Sequence, residues 1–169
     1  MGLRLGIAVV VLAAAAVPFG APAAAATVTA QVQAQVVKPL AITKKQDLNL
    51  GTIVLGPGTW SGAIVRLSRA GVLTCPANVT CSGATTVAIY NVAGSNQQVV
   101  RINVPNVTLV NQLDASKKLI LTPDNQATVT LTNSGNPGTD VNIGGSITIS
   151  STTAGGTYIG TFNVTADYQ

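Results

Sequence analysis

The feature that most constrains the fold is an alternation of apolar and polar residues with a period of two. Within residues 157–169 one parity is apolar and the other is mostly Thr, Asn and Asp. Successive side chains of a strand point to opposite faces, so this pattern predicts a strand with one buried and one wet face. A strand that closes the chain is expected to have a neighbour on one side, which raises the question of what fills the other side. The apolar residues are Tyr158, Phe162, Val164, Ala166 and Tyr168.

A second stretch, residues 27–36, alternates without exception. One parity holds only Thr and Gln, and the other holds small apolar side chains. Such a strand suits insertion into a groove of another sheet, but it also fits an ordinary first strand paired within its own domain. The residues alone leave both interpretations open. The small apolar side chains belong to Val28, Ala30, Val32, Ala34 and Val36.

The segment before these strands has the pattern of a secretory signal peptide over residues 1–26. It begins with a positive charge, continues with an apolar run and ends with small residues over 21–26. Pro18 and Gly20 interrupt the apolar run, which disfavours a membrane-spanning helix. We therefore expect export: periplasm in transit, then the cell surface or the medium.

Residues 27–169 have the length of one domain, in which 27–37 forms an N-terminal strand. Short runs rich in β-branched residues are separated by Gly, Pro and Asn, and no long helical period follows residue 26. Many short strands with regular turns predict an all-β fold, an antiparallel Ig-like β-sandwich. The main predicted strands are 48–55, 60–67, 85–92, 99–104, 107–110, 117–121, 127–131 and 141–150.

Charge and chemistry argue against several classes of function. Of nine Lys and Arg residues all but Arg4 follow residue 26, as do all five acidic residues, which leaves a net charge of +3 there. These charges form no basic stripe, so nucleic acid is not an expected partner. No later run is apolar enough to span a membrane.

The residue types needed for common catalytic sites are missing. The chain contains neither His nor Glu, and its five Asp residues are isolated. We therefore predict no catalytic residues, no metal site, no cofactor and no enzyme activity, unless two Asp residues meet in the fold as a hydrolase pair. A calcium site at Asp124 or Asp140 is a weaker interpretation of these residues than the capping of turns. Trp60 is either a ligand platform or, with more weight, a core or edge aromatic.

The two cysteines, Cys75 and Cys81, enclose five residues. In an exported chain this spacing predicts one disulfide across a tight loop. A loop this short would stabilise the fold by roughly 2 kcal/mol.

Three segments resemble a known group of proteins. Residues 36–42 and 47–53 resemble the opening of a secreted bacterial domain family of unknown function. Residues 155–168 are similar to the last strand of that family and to that of chaperone–usher pilins and spore-coat-protein-U-like proteins. In those proteins a Gly, alternating aromatics and a penultimate Tyr mark the strand beside an open groove.

The resemblance implies a pilin-like sandwich that lacks one strand, which the N-terminal segment of the next subunit supplies. The five small apolar residues of 27–36 would then be the donor, and the five apolar residues of 157–169 would line the acceptor groove. It also implies polymers with other copies or related subunits, helped by a periplasmic chaperone and an outer-membrane usher. Pilin disulfides usually join distant strands, whereas this one would close a local loop.

Three functions are therefore compared. The first is a non-enzymatic structural subunit of an extracellular fibre, pilus or surface coat built by donor-strand exchange. The second is a monomeric secreted binding or adhesion module, for example for glycans. The third is a hydrolase.

Overall fold

The computed structural model describes residues 26–169, and within them every regular element is a β-strand. The predicted signal peptide lies outside the described residues except for Ala26. The chain divides into two units after Ala34. Residues 26–34 are exposed and carry no regular secondary structure.

All thirteen strands lie in the second unit. They are β1 Ala41–Gln46, β2 Thr52–Leu55, β3 Ala63–Leu67, β4 Leu73–Thr74, β5 Val79–Ser82, β6 Ala88–Ala93, β7 Val99–Asn103, β8 Val107–Asn111, β9 Lys118–Asn125, β10 Thr128–Thr130, β11 Thr139–Ile149, β12 Tyr158–Ile159 and β13 Thr165–Tyr168.

The strands pair antiparallel in curled sheets. The largest sheet has the order β1, β6, β11, β9, β8, β12, with β3 beside β11 and β4 beside β3. A second sheet has the order β10, β7, β13, and β2 pairs with β5. Ala41 lies opposite Ala93, Asn49 bridges Thr86, and Leu55 lies opposite Val79. Residues 41–55 therefore run beside residues 79–93 in one nearly constant register.

The long strand β11 organises the largest sheet. On one side it pairs with β6 through residues 139–143 and then with β3 through residues 145–149, while β9 occupies the other side. Gly144 lies where β6 gives way to β3. A Cβ atom there would collide with the carbonyl oxygen of Leu67 and lie 2.6 Å from the backbone nitrogen of Arg69. The close approach of the chain leaving β3 therefore requires glycine.

The apolar faces form two core clusters. β3 shows the predicted alternation directly, since Ala63, Val65 and Leu67 are buried while Ile64 and Arg66 are exposed. The first cluster contains Ala88, Val92, Val100, Ile102, Val104, Val129, Leu131, Val141 and Ile143. The second contains Ala63, Val65, Val79, Val107, Leu121, Ile147 and Ile149.

Residues 157–169 form two strands where the alternation predicts one. β12 pairs with β8, whereas β13 pairs with β7 in a different sheet. No strand is assigned over residues 160–164 between them. Period-two alternation identifies the face that a side chain occupies, but it carries no information about the neighbouring strand.

The disulfide between Cys75 and Cys81 is present, as predicted. Its loop contains a strand that the sequence prediction left out, β5, which pairs with β2 and places Cys81 opposite Ile53. The disulfide therefore joins β5 to the segment that leaves β4, with a stabilisation of about 2 kcal/mol expected for a loop of this length.

Candidate strand-binding groove

A groove of about 590 Å³ with an apolar floor opens beside the second core cluster. One wall is formed by residues 48–53 and Leu55, and the other by residues 153–160 and Phe162. The floor comes from β8, β9 and β11, through Leu109, Leu119, Leu121, Ile147 and Ile149.

The floor and walls are an incompletely covered core. Leu121, Ile147 and Ile149 are buried beneath the groove, but Leu109 and Leu119 are only half-buried. Leu48, Leu50, Ile53, Leu55 and Phe162 are also half-buried and pack against the same cluster. Burial of apolar surface is favourable by about 25 cal/mol per Å², so an apolar partner would gain stability here.

Two strands with a vacant edge line the groove. Among the strands of the described residues, β2 pairs only with β5 and β12 pairs only with β8. An unpaired strand edge presents N–H and C=O groups that can bond another strand. An apolar floor between two such edges is the arrangement that β-augmentation requires, because backbone bonds give affinity and side-chain pockets give register.

Comparison with known proteins identifies a family. Residues 40–168 match a family described as Domain of unknown function (DUF4402). The chain belongs to the DUF4402 family. Searches of curated proteins and of solved structures each find no significant match.

The DUF4402 match contains all thirteen strands and every residue lining the groove, whereas residues 27–36 precede it. The part of the chain that the structure describes contains no helix long and apolar enough to cross a membrane.

The DUF4402 fold separates the five predicted acceptor residues into two sets. Tyr158 and Phe162 line the groove. Val164, Ala166 and Tyr168 pack against the first core cluster instead. This separation follows from the division of residues 157–169 into β12 and β13.

Sequence reasoning missed the opposite wall and the floor. Leu48 and Leu50 are at even-numbered positions, whereas Ile53 and Leu55 are at odd-numbered positions. All four nevertheless line the groove. Gly51, with a φ of 76°, lies between the two pairs and allows the change of parity. An apolar pattern that changes parity at a glycine was the available signal.

The predicted donor residues are on the surface in the single chain. Val28, Val32 and Val36 are 93%, 95% and 92% exposed, and no strand is assigned within residues 26–40. Ala30 and Ala34 are exposed as well. The predicted strand over residues 27–36 is therefore not formed in the single chain.

Tyr168 holds the point from which the N-terminal segment leaves the domain. Its hydroxyl donates to the carbonyl oxygen of Lys38 at 2.6 Å and accepts from the backbone N–H of Ser95 at 2.8 Å. The backbone N–H of Lys38 donates to Oγ of Ser95 at 2.6 Å. The penultimate tyrosine thus anchors residue 38 at the turn between β6 and β7.

The residues predicted as weaker candidates for calcium or ligand binding have other contacts. Asp140 lies 2.7 Å from Nζ of Lys45 and accepts from Nδ2 of Asn91 at 2.6 Å. Trp60 is half-buried against the second core cluster, and its Nε1–H donates to the carbonyl oxygen of Gly56. The described residues contain no group of three or more His, Cys, Asp or Glu that could hold a metal ion.

Asp124 belongs to an ionic cluster, because its Oδ2 lies 2.8 Å from Nη2 of Arg66 and its Oδ1 lies 3.9 Å from Nη1 of Arg69. The hydrogen bond from Arg66 is the main cause that lowers the pKa of Asp124 below its ordinary 3.8; the backbone N–H of Arg69 adds to it and partial burial opposes it. A carboxyl group with a lower pKa in the folded state stabilises the fold above its unfolded pKa, and this stability is lost as the pH falls through the folded value.

We expect Asp124→Asn to lower the free energy of unfolding at neutral pH and to flatten its decline below about pH 4. Urea unfolding between about pH 2 and pH 7 measures both effects. Asp167→Asn is the matched control, because the described residues show no ion pair at Asp167. Equal acid slopes for Asp124→Asn and the unmodified protein would contradict the ionic cluster.

Proposed function

We propose that this DUF4402 protein is a non-enzymatic structural subunit of an extracellular fibre, pilus or surface coat, assembled by strand donation. Residues 27–36 of one copy fill the groove of the next copy. The observation that carries the proposal is the groove with an apolar floor between the vacant edges of β2 and β12, in a chain whose own N-terminal segment alternates strictly and is exposed.

The donor segment has suitable chemistry for the groove. Ten residues in a strand span roughly 33 Å. Val and Ala on one face would meet the Leu and Ile side chains of the floor, while Thr and Gln on the other face would meet water. The segment has no charged residue, so its insertion buries no ion. On this proposal the domain is an Ig-like sandwich that another copy completes.

One donor residue is too close to its anchor to reach the groove of its own chain. Lys38 is anchored at the turn that follows β6, and Val36 lies two residues away, so it can reach only about 7 Å from the anchor. β1 runs from that end of the domain toward Leu48, where the groove begins, and its five steps alone span roughly 17 Å. Val36 therefore cannot enter the groove of its own chain. A contact that does not close on itself extends into a filament.

Export belongs to the same proposal. A signal peptide over residues 1–26 would direct the chain to the periplasm and then to the cell surface. Because a groove with an apolar floor is an aggregation hazard before assembly, a periplasmic chaperone and an outer-membrane usher are fitting partners.

The test is removal of residues 27–36 from the mature chain, which is the chain without the predicted signal peptide (residues 27–169). The mature chain is expected to form filaments visible by electron microscopy, and the shortened chain is expected to remain a monomer by light scattering. A chain whose residues 27–36 are shuffled to abolish the alternation is the control for length and composition, and it should also stay monomeric.

Filaments that persist in the shortened chain would contradict strand donation. A full mature chain that remains monomeric at every concentration and melts cooperatively would favour the secreted binding module instead.

A further inference from the structure

Asn111 is the one polar side chain that is buried among the described residues, at 2% exposed. It ends β8 and lies opposite Tyr158 of β12. Burying an amide is unfavourable unless its hydrogen bonds are made, so this position has a structural reason for being asparagine.

The Asn111 amide joins two loops. Its Nδ2–H donates to the carbonyl oxygen of Gly155 at 3.0 Å, and its Oδ1 accepts from the backbone N–H of Leu113 at 2.8 Å. The backbone N–H of Gln112 donates to the carbonyl oxygen of Thr157 at 2.8 Å. The segment before β12 is therefore attached to the turn after β8 through one side chain and one backbone bond.

Gly156 is matched to this amide. It has a φ of 140°, and a Cβ atom there would lie 2.5 Å from Oδ1 and 2.6 Å from Nδ2 of Asn111. The amide thus occupies the space that any other residue at position 156 would need.

The attached segment is a wall of the groove, since residues 153–157 all line it. The hydroxyl of Tyr158 donates to the carbonyl oxygen of Ala154 at 2.8 Å and closes the same segment on itself. We infer that Asn111 is a positioning residue that holds this wall in a strand-accepting position before any strand is bound. This inference rests on the proposed function of the groove, and its physical basis is that a preorganised site avoids the entropy of ordering upon binding.

The first experiment measures how firmly this wall is held when no donor strand is bound. Amide hydrogen exchange of the full mature chain is followed at Gln112 and Leu113 in the unmodified protein, in Asn111→Ala and in Asn125→Ala. Asn125 is the matched control, because its Nδ2, like that of Asn111, donates to backbone carbonyl oxygen, here that of Ile102 and that of Gln126, but it does not line the groove. We expect exchange at least about tenfold faster in Asn111→Ala only, with the amides of β11 unchanged.

The second experiment measures acceptance of a strand. A labelled synthetic peptide of residues 27–36 is added to the mature chain at a dilution where the chain is monomeric. We expect Asn111→Ala to bind the peptide at least about tenfold more weakly than Asn125→Ala. Gly156→Ala, whose added methyl group would displace the amide, is expected to reproduce the faster exchange and replaces Asn111→Ala in the exchange experiment if that variant does not fold. Its peptide binding is not compared, because Gly156 itself lines the groove.

Unchanged exchange at Gln112 and Leu113 would overturn the inference, as would faster exchange with undiminished peptide binding. A peptide that fails to bind even the unmodified protein would overturn the proposed function, and the exchange result would then decide by itself whether Asn111 holds the wall.

Discussion

Replacing Val32 by aspartate is expected to stop assembly of the mature chain while leaving the subunit as stable as before. Val32 is 95% exposed in the single chain, and substitutions at exposed positions usually change stability by less than about 0.5 kcal/mol. In the proposed polymer, however, its side chain lies at the centre of the donor face. Aspartate would place an unpaired charge against leucine and isoleucine, at several kcal/mol, which is roughly a thousandfold in affinity.

Gln33→Asp is the matched control for this experiment. It adds the same charge one residue away, on the parity that faces water in the proposed polymer. Filament mass by sedimentation, together with the unfolding midpoint of each variant, gives the comparison. Equal assembly of the two variants would contradict donation by the Val and Ala face.

Replacing Gly144 by alanine is expected to cause a large loss of stability, about 3 kcal/mol. The added methyl group would meet three backbone atoms of residues 67–69, including the carbonyl carbon of Ser68 at 2.5 Å. Backbone atoms within a paired strand and its exit cannot move as a flexible side chain can. β11 would then have to separate from β3 at the centre of the largest sheet.

Gly155→Ala provides the comparison for stability, because a Cβ atom there would have no neighbour within 4 Å. Thermal unfolding followed by circular dichroism should show a midpoint roughly 10 °C lower for Gly144→Ala and little change for Gly155→Ala. A Gly144→Ala midpoint within about 2 °C of the unmodified protein would show that β3 and β11 are not packed this closely.

Much of the fold could be predicted from the sequence because strand faces repeat every two residues. In β3 the three buried residues Ala63, Val65 and Leu67 share one parity of the strand predicted over 60–67. The spacing of Cys75 and Cys81 likewise predicts the disulfide, because a short loop leaves the two cysteines little choice of partner. The turn residues between apolar runs predict an all-β chain, and the described residues form one.

Only part of the candidate site could be predicted from the sequence, and the reason is physical. Backbone hydrogen bonds between strands are the same for every residue type, so the order of strands depends on packing over the whole chain. Tyr158 and Val164 both follow the alternation, but one lines the groove and the other packs on the first core cluster. Asn111 has no pattern that distinguishes it from other asparagines, because its burial depends on a loop that begins some forty residues later.

By itself, then, the amino-acid order determined that the chain forms short β-strands, where it turns and which two cysteines join. Only the tertiary structure decided which strands are neighbours, that β2 and β12 each keep a vacant edge, and that an apolar floor lies between them. The first set depends on local periodicity and short loops, whereas the second depends on contacts between residues far apart in the chain.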